Sequence, residues 1–179
     1  MRVTETELNG VFVVEPNVFG DERGFFFESF NKQKFKIETG LDLEFVQDNH
    51  SKSAQGILRG MHYQIENVQD KLVRVISGEV FDVAVDLRKS SPNFGKWVGE
   101  ILSAENKKQL FVPKGFAHGF VVTSQEAEVL YKTTDFYTPA AERYLNWNCS
   151  QVGITWPIDA PILNERDANA PHLESCECF

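Results

Sequence analysis

Cysteine, histidine and positive charge are all scarce in this chain, and each shortage removes a class of function. The three cysteines, Cys149, Cys176 and Cys178, form neither an even disulfide framework nor a metal-ligand spacing, and two of them fall in an acidic tail. Ordinary reduced thiols are expected. The four histidines, His50, His62, His118 and His172, include no His-x-His pair followed by a glutamate, so no closely spaced metal set is present and no metal is expected. Asp and Glu number 26 against 18 Lys and Arg, a net charge of −8 that opposes nonspecific nucleic-acid binding, which rests on clustered basic residues. No apolar run approaches the ~20 residues of a membrane span. Met1–Gly10 has neither a basic n-region nor an apolar h-region, so a soluble cytoplasmic protein with no membrane partner is expected. A Gly-rich phosphate loop and a nucleophile elbow are also missing. Any anionic ligand therefore needs a local basic pocket, for which Arg23, Arg59, Lys71, Arg74 and Lys114 are candidates.

Apolar material, by contrast, is ample. With 42% hydrophobic residues in 179 positions, the chain can bury one substantial core, so a single domain over 1–179 is expected, with residues 170–179 as a frayed tail. Short β-branched and aromatic runs recur at Val11–Val14, Phe25–Glu28, Leu43–Val46, Leu58–Tyr63, Leu72–Ile76 and Val80–Leu87. They continue at Trp97–Leu102, Leu110–Val112, Phe120–Val122 and Val129–Lys132, mostly separated by turn formers, a spacing that suits an all-β sandwich or barrel. The clearest strand is Val80–Leu87, where Phe81, Val83, Val85 and Leu87 alternate with Asp82, Ala84 and Asp86 after a Ser77-Gly78 turn signal. One face of it reads as apolar and the other as polar. A helix is predicted over roughly Asn31–Thr39, capped by Asn31, packed through Phe35 and ended by Gly40. A second, short helix is expected after Pro161, within an irregular arm that wraps a surface from about Trp156 onward.

Three islands place ionisable residues inside apolar, strand-like contexts, where burial is costly without a partner or ligand. They are DERGFFFE (Asp21–Glu28), LRGMHYQ (Leu58–Gln64) and VPKGFAHGF (Val112–Phe120). In a regular strand Arg59 and His62 have opposite parity, so both reach one cavity only if Gly60 supports a bulge. Taken alone, His62 is more often a hydrogen-bonded structural histidine than a catalyst. His118 reads equally as the tip of a hairpin, Arg23 and Glu28 as solvated charges on an edge strand. Tyr131 and Tyr137 need no more than a core role with buried hydroxyls, and Asp167 fits a solvated turn.

Taken in order, these islands resemble the dTDP-4-dehydrorhamnose 3,5-epimerase family. Matching segments run from about Gly10 to Asp167 and also include FVQDNHS (Phe45–Ser51), KLVRVISGEVFDVAVDLR (Lys71–Arg88), the FGKW of Phe94–Trp97 and the Tyr131–Tyr137 stretch. The resemblance implies an all-β, cupin-type jelly-roll barrel with a few short peripheral helices, normally a homodimer, working without metal or organic cofactor. It implies a dTDP-4-keto-6-deoxy sugar as substrate, with His62 as the base and Asp167 as the carboxylate that orients it. Tyr131 matches the acid on the opposite face of the sugar, and Lys71 the cation near the ketone oxygen. Arg23, Glu28, Gln47, Asp48, Asn49, Arg59, His118, Glu142 and Arg166 match substrate-binding positions, and Tyr137 the aromatic that stacks on thymine. Two departures occur. Met61 replaces the usual leucine before the histidine, and LNERD (Leu163–Asp167) stands where a Ser-Glu-Lys-Asp run is commoner. Alternatives are an enzyme inverting C3 alone, a keto-isomerase on the same barrel, and a non-catalytic sugar-nucleotide-binding protein, which would be expected to lack His62, Tyr131 or Lys71.

Overall fold

A computed structural model describes residues 1–179. Its first strands are β1 (Arg2–Glu5), β2 (Phe12–Glu15), β3 (Val18–Asp21) and β4 (Gly24–Phe27), followed by helix α1 (Lys32–Thr39). Then come β5 (Gln47–Ala54), β6 (Leu58–Gln64), β7 (Lys71–Ser77), β8 (Glu79–Asp86) and β9 (Trp97–Ser103). The chain continues through β10 (Gln109–Val112), β11 (Phe116–Val122), β12 (Glu126–Thr133), β13 (Glu142–Tyr144) and helix α2 (Glu165–Ala168). A six-stranded sheet ordered β1-β2-β10-β7-β12-β5 faces a five-stranded sheet ordered β13-β6-β11-β8-β9, and β3 and β4 form a separate hairpin. These antiparallel sheets make the expected jelly-roll barrel.

The barrel interior holds one large apolar cluster. There Val73, Val75, Ala127 and Val129 of the six-stranded sheet meet Val80, Ala84, Leu102, Phe116, Phe120 and Val122 of the five-stranded sheet. Each such side chain, fully removed from water, contributes about 1.5–3 kcal/mol when Val- to Phe-sized.

Strand β8 alternates as expected, but its faces are assigned the other way from a simple inside-apolar rule. The apolar face, Val83, Val85 and Leu87, turns outward and is covered by Leu145, Cys149 and Val152 of the C-terminal arm. The polar face turns into the barrel, where Asp82 and Asp86 are both fully buried. Asp86 is satisfied by Arg88 and Ser91, at 2.7 and 2.6 Å to Oδ2, and Asp82 by a histidine described below. A strand buried on both faces can carry aspartates only where such partners exist.

Helix α1 follows the local signals closely. Asn31 accepts from the Lys34 N–H at 3.0 Å, Gly40 closes the helix in the left-handed conformation at φ 75°, and buried Phe35 packs against Phe30, Phe45 and Phe111. The expected short helix after Pro161 is α2, capped by Asn164. The Leu43–Val46 run is not a strand: Leu43 and Phe45 turn into the Phe35 cluster, and the strand begins at Gln47. That strand, β5, has almost no apolar residues, so hydrophobic alternation could not reveal it. The final residues, expected to fray, pack instead: the Phe179 N–H donates to Leu87 O at 3.0 Å, and Cys176, Cys178 and Phe179 lie against the outer apolar cluster.

The β7–β8 connection depends on Gly78. Its φ is +73°, and a Cβ there would stand 1.9 Å from the Glu126 carbonyl oxygen. Gly78→Ala is expected to lower unfolding free energy by about 1–3 kcal/mol, measured by urea denaturation, without changing ligand affinity.

Candidate active site

Strand β6 brings the second sequence island into the barrel. His62 pairs with His118 of β11, yet Arg59 pairs with Phe120, so three steps along β6 span two along β11. The extra residue is accommodated at Gly60, whose φ is +131° and where a Cβ would lie 2.5 Å from the Gly119 Cα. Only a glycine pair fits this close approach. The bulge corrects the parity, and Arg59 and His62 both turn inward. Arg59 then donates from Nε to Ser53 Oγ of β5 at 2.9 Å.

A cavity of about 300 Å³ opens between the sheets, lined by Gln47, Asn49, His62, Lys71, Tyr131 and Glu142 among others. His62 comes from the five-stranded sheet, whereas Tyr131 and Lys71 come from the six-stranded sheet opposite. The imidazole Nε2–H donates to Asp167 Oδ1 at 2.7 Å. Asp167, wholly buried, also accepts at Oδ2 from the Gly60 N–H and from Asn164 Nδ2, each at 3.2 Å. Three donors satisfy this buried carboxyl group, and its bond to Nε2 holds one tautomer of the histidine. The ring nitrogen left facing the cavity is Nδ1.

Lys71 projects its ammonium toward the backbone of the same histidine, 3.4 Å from His62 O. Burial pushes its pKa down to about 8, with the negative charges of Asp82 and Glu142 pulling in the opposite direction. Burial also raises the Tyr131 phenol, reinforced by Glu142 and opposed by Arg59, so its proton is retained at neutral pH. Glu142 itself accepts from the Tyr137 hydroxyl at 3.0 Å and from the Tyr144 hydroxyl.

Of the expected substrate-binding positions, Gln47, Asn49, Tyr137 and Glu142 line the cavity. His118 stands directly beside His62 on the neighbouring strand, buried, its Nε2 2.9 Å from both carboxylate oxygens of Asp82. Arg166 approaches from α2, next to the Tyr144 hydroxyl. Three positions lie elsewhere. Asp48 falls between two inward residues of β5, so strand parity sends it outward, where it pairs with Lys132 at 2.9 Å. Arg23 sits on the β3–β4 hairpin and pairs with Asp21. Glu28 follows β4 and accepts from Lys34 Nζ at 2.8 Å and Asn31 Nδ2 at 3.1 Å.

Sequence reasoning missed Gln64, Asp82 and Tyr144. Gln64 follows His62 by two positions on β6, a spacing that signals a shared face. Its amide donates to Asn67 O at 2.8 Å and Phe136 O at 3.2 Å and accepts from the Thr138 N–H at 2.7 Å, which fixes the loop carrying Tyr137.

The sequence profile of the dTDP-4-dehydrorhamnose 3,5-epimerase family matches residues 5–175. The chain belongs to this family. The enzyme of that name from Pseudomonas aeruginosa is 57% identical over 180 residues, spanning 100% of this chain and 99% of its own. The family's crystal structure from Legionella pneumophila, described as a complex with dTDP-4-keto-L-rhamnose, superposes with a TM-score of 0.95 at 48% identity, covering 97% of this chain and 93% of that one. A 3'-monoepimerase from Streptomyces bikiniensis, in complex with dTDP-quinovose, also superposes, with a TM-score of 0.90 at 34% identity, covering 97% and 88%. The same barrel thus occurs in solved structures named for different stereochemical outcomes.

Because Glu142 favours the Lys71 ammonium, Glu142→Gln is expected to lower the lysine pKa further below its present value of about 8. Side-chain nitrogen NMR of Lys71 reads this directly. An unchanged or raised value would show that Glu142 does not act on Lys71.

Proposed function

We propose that this chain inverts C3 and C5 of dTDP-4-dehydro-6-deoxy-D-glucose to give dTDP-4-dehydro-L-rhamnose, in the formation of dTDP-L-rhamnose. His62 removes the protons and Tyr131 returns them. The observation that carries this reading is the placement of the Asp167-backed His62 and of Tyr131 on opposite sheets around one cavity.

The chemistry follows from the ketone at C4. A proton on the adjacent carbon becomes acidic only when the electron pair left behind moves onto the C4 oxygen. Nδ1 of His62 accepts that proton, and Asp167 stabilises the imidazolium through the opposite nitrogen. The Lys71 ammonium, present below about pH 8, meets the enolate oxygen; removing one such stabilising group typically costs about 10²–10³ in kcat. When the enolate collapses, carbon takes the phenolic proton of Tyr131 from the other side and the configuration is inverted. His62 then releases its proton to solvent and Tyr131 regains one from solvent before the second carbon reacts. Gln47, Asn49, Arg59, Glu142 and Arg166 bind the nucleotide sugar, and the exposed Tyr137 ring offers a flat surface for thymine.

Incubation in deuterium oxide with the 4-keto-6-deoxyglucose nucleotide tests the reading by NMR. Deuterium at both C3 and C5 of an L-configured product is expected. Label at C3 alone would instead place the chain with the monoepimerase neighbour, and no label would defeat the proposal. Tyr131→Phe should continue to exchange at one carbon while forming little inverted product.

The active form is a homodimer. The β3–β4 hairpin belongs to neither barrel sheet, and Phe19, Phe25 and Phe26 on it are 65%, 64% and 71% exposed. A lone hairpin of this kind is marginal in water, and a second copy would cover it. The same contact would carry Arg23 and Glu28 toward the partner's cavity, accounting for two binding positions that this chain's own cavity lacks. Sedimentation equilibrium is expected to give twice the chain mass, and Phe26→Glu to give monomer with weakened nucleotide binding.

A further inference from the structure

The shortest strand of the barrel holds a residue to which none of the roles above is assigned. Strand β13 pairs with β6 so that Tyr144 lies directly across from His62. Opposed residues of an antiparallel pair project from the same face, with Cβ atoms about 4.5–5.5 Å apart. The two rings accordingly meet edge to face, with centroids 5.2 Å apart and planes at 85°, a favoured geometry for aromatic groups. The Tyr144 hydroxyl donates to Glu142 on the cavity wall and stands beside the Arg166 guanidinium. Arg166 belongs to the same short helix as Asp167. Tyr144 therefore touches the base, a carboxylate of the cavity wall and the element that presents the base's partner.

The His62–Asp167 hydrogen bond alone leaves a degree of freedom. A single N–H···O contact sets the distance of one ring nitrogen but permits the imidazole to swing about that contact, which would move Nδ1 across the cavity. An aromatic ring packed at right angles against the imidazole blocks the swing. Tyr144 does not line the cavity, so its influence reaches the sugar through His62.

We propose that Tyr144 is a positioning residue for His62, its ring fixing the orientation of the imidazole toward the carbon being deprotonated. This rests on the reading of His62 as the base. Tyr144→Phe keeps the ring and should hold kcat within about threefold, whereas Tyr144→Leu removes it and should lower kcat by about 10²-fold, the usual scale for misplacing a reacting group by an ångström. KM and dTDP affinity should change less than threefold in Tyr144→Leu. If that variant loses dTDP binding, Tyr144→Met, whose flexible side chain fills irregular gaps, is read in its place. In a His62→Ala background Tyr144→Leu should add no further loss in solvent-deuterium exchange, because the group it positions is gone. An unchanged kcat in Tyr144→Leu, equal losses in the Leu and Phe variants, or a full additional loss on His62→Ala overturns the proposal. A normal rate in His62→Ala itself would overturn the assignment of the base instead.

Discussion

A carboxylate removed from water must be met by donors, and Asp167 is met by three: the His62 imidazole, the Gly60 N–H and the Asn164 amide. Each partner comes from a different structural decision. The histidine requires β6 in its register, the N–H requires the bulge at Gly60, and the amide requires the cap of α2. The late helix is thereby drawn onto a strand more than a hundred positions earlier. Removing the carboxylate would leave the ring free to change tautomer and α2 without its anchor, so fold and base share one constraint.

Around that centre the barrel interior sets paired polar groups among apolar ones. Valine, leucine and phenylalanine fill much of it. Asp82 with His118, Glu142 with two tyrosines, and Lys71 with its ammonium weakened by burial supply the polar groups. Low-dielectric surroundings amplify the field of those charges. That arrangement suits enolate chemistry, in which the developing charge appears on one oxygen and must be met without reorganisation.

Much of the fold was legible locally. Helix α1 follows from Asn31, Phe35 and Gly40, and β8 from strict alternation. Failures came where local pattern lacks the necessary information. Strand β5 alternates two polar faces, one toward the cavity and one toward Lys132, Glu128 and Glu126 across the sheet, so apolar periodicity is silent there. Leu43 and Phe45 looked strand-like because they are apolar, but their burial comes from the Phe35 cluster. At the site, Gln47 and Asn49 were placed with Asp48, although side chains alternate along a strand and only the first two can share the cavity.

The sequence by itself determined which chemistry is available: one ordered set of His62, Lys71, Tyr131 and Asp167, a glycine where a bulge is needed, and a family membership carried by motifs across nearly the whole chain. Tertiary structure decided which face of each strand is inside. Periodicity defines two faces but does not say what will cover them, and on β8 the C-terminal arm covers the apolar one, which leaves the aspartates in the barrel. The same limit applies to Tyr144, whose meeting with His62 depends on the β13–β6 register, a pairing that arises only once the two strands lie side by side.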